Sequence, residues 1–410
     1  TTLFRSCDNC GSTMVKVGEE FVRTEVQFIP AKLKVIDHYR ETYECRSCRK
    51  NGTPYMEKAP VPYPPVLHSL ASASTITWLI HQKFELSIPL YRQEKEWEAL
   101  GLRLSRATMS NWLLVVYRDW LVHIVHHLKL ELLKQRYLHI DETHVQVLKE
   151  PGRKNTSDSY MWVYCSIKDA VTPIRYFEYR PGRGGKYPEV FLKGYEGYIH
   201  TDAYSGYNAV SGVKRCLCYT HLRRAFVDAL PKDIHNSEAS KAAEAILRLN
   251  QLFNIESELE ALPPDQKKKE RLIREKPLLE AFWSWAEKSA IGELPKSKLS
   301  KAFHYALNNR EGFWNYLEDG NCSISNSLAE NCIRPFVIGR KNWLFSGSPK
   351  GAEASAGIYT LVETAKANGL APMKYIKYIL SDMPGSAFLE YPEYLDDYLP
   401  WNPLVKEFCR

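Results

Sequence analysis

The period of the chain changes at residue 137, and that change limits what the chain can fold into more than any other feature. Upstream, Met109, Trp112, Leu113 and Val116 recur at the i, i+3, i+4, i+7 spacing of a buried helix face. Downstream, "YLHIDETHVQVL", "DSYMWVYCSI" and "TPIRYFEYRP" read as three successive strands joined by short turns. "YPEVFLKGY" then predicts a short helix, "GYIHTD" (197–202) a buried strand, and "VKRCLCYTH" (213–221) another. The expected order is β-β-β-α-β-α-β, a mixed sheet. Its first strand carries two acids, Asp141 and Glu142, between Tyr137–Ile140 and Val145–Val147. An unpaired buried carboxylate costs several kcal/mol or takes up a proton, so this strand needs a basic partner, a hydrogen-bond cluster or a metal ion.

Two further acids are placed to meet the first. Asp202 closes the predicted fourth strand, and Glu330 lies on a later helix that begins near Ser325 or Ser327. Singly each has an ordinary explanation: a strand-end acid, a cap for the "AYSGYN" turn, a surface helix residue. Together, a first-strand Asp, a fourth-strand Asp and a late-helix carboxylate in this frame match the ribonuclease H-like fold. Three converging carboxylates repel one another unless cations neutralise them. Two Mg²⁺ ions, ~3.5–4 Å apart, would do so and would clamp both sides of an in-line phosphoryl displacement. Side-chain alternation sends Glu142 to the opposite face, which favours Asp141 as the ligand.

The remainder is modular. Cys7, Cys10, Cys45 and Cys48 form two CxxC pairs, the knuckles of a tetrahedral zinc site, in a ribbon expected over residues 1–53 with β-rich stretches "EEFVRTEVQFIP" and "LKVIDHYRETYEC". Residues 54–65 carry five prolines and read as an extended linker. A helical domain is expected over 66–135. Its first helix uses Val66, Leu70, Ala73, Leu79 and Ile80. A helix–turn–helix candidate spans 86–118, with Gly101 ending one helix and Ser105 capping a long one that reaches toward Gln135. Arg103, Arg106, Ser110, Asn111 and Arg118 lie at or near its exposed side, available to phosphates and base edges; an ordinary helical hairpin fits the pattern as well. Residues 222–318 are helical and charged, and the basic run "DQKKKERLIREK" reads as a solvated face. "GAEASAGIYTLVETAKANG" is a further helix, closed by Gly369.

The net charge of +7 permits nucleic-acid binding without demanding it, and the 10 Trp and 25 Tyr serve either a core or base stacking. No apolar run reaches the ~18 residues of a membrane span, and no signal peptide opens the chain. Ten cysteines, four of them in the CxxC pairs, fit a reducing cytosol better than a disulfide framework.

The segments "HIDETHVQVLKE", "GYIHTDAYSGYN", "CYTHLRRAF", "SNSLAENCIRPFVIGRKNWLFSGSPKGAEASAGIYTLVETAKANG" and "YLPWN" resemble the IS66 family of bacterial insertion-sequence transposases, and "CDNCG…IPAKLKVIDHYRETYECRSC" resembles that family's zinc-binding domain. The resemblance covers nearly the whole chain. It implies a multi-domain α+β protein: an N-terminal zinc ribbon, a helix–turn–helix domain, and a ribonuclease H-like mixed α/β core in two parts, 136–221 and 319–383. A helical insertion over 222–318 separates those parts, and a tail follows over 384–410. Asp141, Asp202 and Glu330 match the family's three acidic positions, implying a DDE transposase that uses Mg²⁺, with Mn²⁺ as a substitute, and structural Zn²⁺. Its partners would be transposon ends and target DNA, a second copy of the chain in a synaptic complex, and accessory proteins, in the bacterial cytoplasm and on the nucleoid. The family also leads one to expect a segment ahead of residue 7 that these 410 residues do not contain.

Other residues join the expected site. Cys218 and His221 form a CxxH, read as a buried Cys with a hydrogen-bonded His, as zinc ligands, or as a His that meets the scissile phosphate. Arg334, one turn after Glu330, pairs with it or binds phosphate. Arg340, Lys341 and Lys350, in a segment with Trp343 and Phe345, suit contact with a DNA end. "RPGRGG" (180–185) lacks the ending of a P-loop and reads as a hairpin or lid. The rival readings are a catalytically inactive DNA-binding regulator derived from a transposase, and a nuclease of the same fold without strand transfer.

Overall fold

The computed structural model describes residues 6–29, 31–231 and 240–410, and the chain divides into two units, Thr1–Tyr39 and Arg40–Arg410. In the first, a bridge between Ser6 and Thr13 closes a turn around Cys7 and Cys10. The expected strand "EEFVRTEVQFIP", whose Pro30 lies outside the described residues, does not form: residues 19–29 have no regular structure, and Phe21, Val26 and Phe28 are exposed. Alternating apolar residues make a strand only where a partner ladder takes the backbone hydrogen bonds.

In the second unit, β1 (Thr42–Glu44) pairs antiparallel with β2 (Met56–Lys58) around α1 (Arg46–Lys50). The proline-rich stretch is therefore not simply a linker, since β2 lies within it. Its end is also tied down: the Trp120 indole donates to Pro65 O at 2.8 Å, and Val66 is buried. Residues 66–72 precede the first long helix rather than joining it. Ser72 caps α2 (Ala73–Ile80), and Leu70 stays exposed. α3 (Leu90–Ala99) and α4 (Arg106–Val116) follow the expected caps, with Gly101 at φ +89° and Ser105 accepting from Thr108 N. Met109, Trp112, Leu113 and Val116 are all buried. A π-turn, Tyr117–Leu121, carries α4 into α5 (Val122–Leu133).

The sheet contains β3 (Tyr137–Val147), β4 (Asp158–Ser166), β5 (Arg175–Arg180), β6 (Tyr198–Thr201) and β7 (Lys214–Leu217) in the order β5-β4-β3-β6-β7. β3, β4 and β5 are antiparallel neighbours, whereas β6 and β7 run parallel to β3. α6 (Lys186–Phe191) precedes β6, and a 3₁₀ turn, Ser205–Ala209, stands where a second helix was expected. α7 (Tyr219–Val227) leads to the insertion: α8 (Lys241–Glu258), α9 (Pro264–Ala290), α10 (Lys298–Asn308) and α11 (Arg310–Trp314). These helices share a core rich in rings, including Phe226, Phe282, Trp283, Phe303 and Phe313.

The chain then returns to the sheet as α12 (Ser327–Trp343), β8 (Phe345–Ser346) and α13 (Pro349–Ala367), and finishes with α14 (Pro372–Asp382) and α15 (Pro403–Cys409). α13 ends at Gly369, φ +70°, as its sequence predicts. It also covers the edge strand: Thr360 Oγ1 accepts Phe177 N–H at 2.8 Å and Thr364 Oγ1 accepts Arg175 N–H at 3.0 Å. Backbone donors that an edge would leave open are thereby satisfied.

Candidate active site

The sheet opens at one place. β3 pairs with β6 only from Tyr137 to His139, and β8 joins β3 only at Gln146 and Val147. Between them, among the described residues, the edge of β3 has no strand beside it. Asp141 lies two residues past the last β3–β6 pair, His139↔His200, and Asp202 lies two residues past it on the other chain segment. Glu330 enters in the first turn of α12, which packs on β3. The ends of parallel strands beside such a split are where α/β sheets place ligands.

The three expected acids are brought together, and the charge is felt. Burial pushes the Asp141 carboxyl up to about 7; neighbouring Glu142, then Asp202 and Glu330, add to the rise, while the Glu142 N–H it accepts at 2.9 Å opposes it. Asp202 Oδ1 accepts Tyr204 N–H at 3.0 Å. Glu330 has His221 Nδ1 and Arg224 Nη2 each at 3.6 Å, and among the described residues its buried Oε1 makes no hydrogen bond, nor does His221 Nδ1. Cys218 Sγ completes a cluster with His221 and Glu330 in which the ligand atoms lie within 4.8 Å of one another.

Glu142 is engaged elsewhere. It accepts from Arg183 Nε at 2.6 Å and from the Tyr207 hydroxyl. Arg183 also reaches Asp202 Oδ2 at 3.8 Å and lies over the Tyr204 ring. The glycines around it explain the "RPGRGG" loop. A Cβ on Gly185 would meet Gly206 O at 2.4 Å, so only glycine lets this loop lie against the Ser205–Ala209 turn. Arg215 holds that turn from beneath, donating to Thr201 Oγ1 at 2.7 Å, Asp202 O at 2.6 Å and Tyr204 O at 2.8 Å. Arg183, Arg215 and Arg224 escaped the sequence reading. Arg224 sits inside "CYTHLRRAF", one turn after His221, and helical spacing from that histidine was the available signal.

A second donor set, His200, Cys216 and Cys322, is fully buried with its ligand atoms within 4.8 Å. Its histidine Nε2 lone pair already accepts Ser323 N–H at 2.9 Å, and the two free thiols share a hydrogen bond. It is a satisfied polar cluster beneath the acids.

The expected DNA contacts divide. Arg106, Asn111, Lys341 and Lys350 are exposed, and Arg103 is exposed with Glu98 at 4.0 Å. Arg334 is exposed and does not pair with Glu330, whose ionic neighbours among the described residues are His221 and Arg224. Arg340 is anchored instead: it donates to Thr143 Oγ1 at 2.9 Å and to His144 O, pinning α12 to β3. Trp343 packs edge-on against Phe336 at 5.4 Å, whereas Phe345 is 45% exposed. At the other end of the chain, each CxxC forms its own knuckle. Cys7 N–H donates to Ser12 O at 2.9 Å, and hydrogen bonds with Ser12 and Cys7 hold the Cys10 thiol's pKa below its ordinary value; Cys45 stands at the N-cap position of α1 without a side-chain cap bond, and its free thiol hydrogen-bonds with Cys48.

Comparison with known proteins identifies the family. Residues 68–354 match the transposase IS66 family, and residues 5–49 match the zinc-finger binding domain of transposase IS66. Among curated relatives, the uncharacterized protein y4hP of Sinorhizobium fredii is 26% identical, over 97% of this chain and 73% of its own length. Uncharacterized protein y4qI of the same organism is 28% identical over 96% of this chain and 73% of its length, and y4jD is 26% identical over 97% and 78%.

Proposed function

The chain belongs to the IS66 family of transposases, and from that premise we propose that it cuts DNA at the ends of its element and joins the freed ends to target DNA. The observation that carries the reading is Asp141. Among the described residues it has no cationic partner, yet it is half-buried beside two further acids. Its strand neighbour Glu142 is taken up by Arg183 and Tyr207, which supports Asp141, Asp202 and Glu330 as the divalent-ion ligands. The strand order, with three antiparallel strands and two parallel ones beyond the first, supports a ribonuclease H-like core.

The orphaned Glu330 oxygen and the all-oxygen donor set suit Mg²⁺ or Mn²⁺. A pair of such ions, when bound, supplies Lewis-acid polarisation of the scissile phosphate and lowers the pKa of the attacking water. The rest of the chemistry falls to the chain. Arg183 and Arg224 flank the acids and supply guanidinium forks for non-bridging phosphate oxygens. His221, neutral or charged, stands beside Glu330 to bond the same phosphate. Water attack at the end releases a 3′-OH, and that 3′-OH then attacks a target phosphodiester in line, so no protein nucleophile is needed. The CxxC pairs are proposed to hold structural Zn²⁺, and α3–α4, with Arg103, Arg106 and Asn111, to grip the terminal repeat. Arg334, Lys341 and Lys350 offer further phosphate contacts. Bringing two ends together requires at least two copies of the chain.

The test is Mg²⁺-dependent cleavage of a duplex carrying the element's end by wild type and by Asp202→Asn. The expected result is nicking at the end by wild type, and by the variant binding without cutting. Equal cleavage by both would remove the acids from the mechanism.

A further inference from the structure

Behind each acid stands a buried polar residue. His139 precedes Asp141 by two on β3, His200 precedes Asp202 by two, and Asn326 precedes Glu330 by one helical turn. The two rings stack at 4.2 Å with 12° between planes, side by side at the last β3–β6 pair.

Asn326 is the unusual member. It occupies the N-cap position of α12, where an Asn side chain ordinarily accepts a helix N–H for about 1 kcal/mol. Here it makes no cap bond. Its Nδ2 instead donates to Ile140 O at 2.8 Å, on the carbonyl where β6 has left β3, so an amide stands in for the missing strand. Its Oδ1 bonds His139 Nδ1 at 3.0 Å, its N–H donates to Cys218 Sγ at 3.1 Å, and its carbonyl accepts Glu330 N–H at 3.3 Å. Every polar group of this residue, 1% exposed, is thus used: two bonds reach β3, which carries Asp141, one reaches Glu330 itself, and one reaches the start of α7, which carries His221 and Arg224 beside Glu330. His200 extends the tie: Nδ1 donates to Leu138 O at 3.1 Å and Nε2 accepts Ser323 N–H at 2.9 Å, in the loop entering α12.

We infer that Asn326, braced by the His139–His200 stack, is a positioning residue that sets the spacing of Glu330 from Asp141 and Asp202, and through it the divalent-ion affinity of the cluster. The inference rests on the metal reading of the three acids. Residues one shell out from metal ligands govern affinity in this way, typically by roughly 10–100-fold.

The experiment is Mn²⁺ titration of the full chain by electron paramagnetic resonance, alongside thermal unfolding. It compares wild type, Asn326→Ser, His139→Phe, Asp141→Asn and Ile379→Ala. His139→Phe keeps a ring in the stack and removes the bond to Asn326, so it serves if Asn326→Ser does not fold. Ile379 is buried on α14, which packs on α2 and α13, and its variant gauges the effect of lost stability alone. The expected result is roughly tenfold or greater weakening of Mn²⁺ binding in Asn326→Ser, a smaller weakening in His139→Phe, and none in Ile379→Ala. Wild-type affinity in Asn326→Ser, with binding lost in Asp141→Asn, overturns the positioning role and leaves the metal site standing. Weakening in Ile379→Ala equal to that in Asn326→Ser also overturns it. Identical titrations of wild type and Asp141→Asn remove the metal reading and the positioning role together.

Discussion

The helical insertion and the open end of the sheet both withdraw carboxylates from water, and they treat the charge in opposite ways. In the insertion, Glu256 meets Arg271 through two bonds, one at 2.5 Å and one at 2.8 Å, with Lys267 at 3.1 Å. Arg271 is fully buried, and its remaining donors reach Tyr316 O, Asp319 O and Cys322 O. Nearby Glu275 receives the Tyr316 hydroxyl at 2.6 Å, and burial, then Glu256, pushes its carboxyl up to about 8, so it keeps its proton at neutral pH. Every charge there is matched or removed. At the strand ends, Asp141 shares its space with Glu142, Asp202 and Glu330, and the guanidiniums present attend the others. A matched set of buried charges holds a fold together. An unmatched one costs stability, and a site retains such a cost where a ligand offsets it.

If that contrast is right, breaking the matched set has the largest effect. Arg271→Ala should cost about 3–5 kcal/mol in denaturant unfolding, because it leaves buried Glu256 with Lys267 alone and strands three carbonyls at once. A loss under about 1 kcal/mol would mean that the insertion does not depend on this pair. The next effect has the opposite sign. Metal-free Asp141→Asn should be more stable than wild type at pH 7 and above. The folded carboxyl titrates near 7 against an ordinary 3.8, so the folded state binds the extra proton and wild-type stability falls as pH rises from about 4 to about 7. The Asn variant lacks that decline. Mn²⁺ at a hundred times its Kd should stabilise wild type by about 2.7 kcal/mol and leave the variant unmoved. Thermal unfolding across pH, with and without Mn²⁺, reads both.

How much of this could be read in advance differs between the two regions. Period and caps are local, so the three antiparallel strands, Ser105, Gly101 and Gly369 were legible, as was an acid on a buried strand. The meeting of Asp141 with Asp202 needed the topology, and the bond from Asn326 to Ile140 O needed the register at which β6 ends. Neither leaves a local mark; a Ser-Asn-Ser before a helix looks like an ordinary cap. The insertion misled in a different way. "DQKKKERLIREK" reads as a solvated face, yet Arg271 and Glu275 precede Leu279 by eight and four, on the stripe that continues through Phe282, Trp283 and Ala286. Extending that apolar stripe backwards was the missed signal. "EEFVRTEVQFIP" failed for the complementary reason, since strand propensity gives no strand where no partner ladder forms.

A smaller effect sharpens the matched side. Glu275→Gln should stabilise the chain by roughly 1–2 kcal/mol above pH 8 and by nothing below about pH 4.5. The folded carboxyl is held at about 8 and the unfolded one at its ordinary 4.5, so wild-type stability declines as pH rises through that window. The amide cannot ionise in either state. A stability difference independent of pH would point to packing rather than charge.

The smallest effect on the fold should come from the cation nearest the acids. Arg224 is 53% exposed, its distance to Glu330 is 3.6 Å, and it makes no hydrogen bond to that carboxylate. Exposed pairs of this kind contribute about 0–1 kcal/mol, so Arg224→Gln should unfold within about 0.5 kcal/mol of wild type. Its effect on DNA should be larger than its effect on stability. Losing one phosphate contact lowers the salt slope of end binding by about 1 and weakens binding across sequences alike. Fluorescence anisotropy over a range of salt, beside unfolding of the same sample, separates the two quantities. If Arg224→Gln unfolds early while binding DNA with the wild-type slope, the cations at the strand ends are structural like Arg271, and the contrast between the two acid clusters collapses.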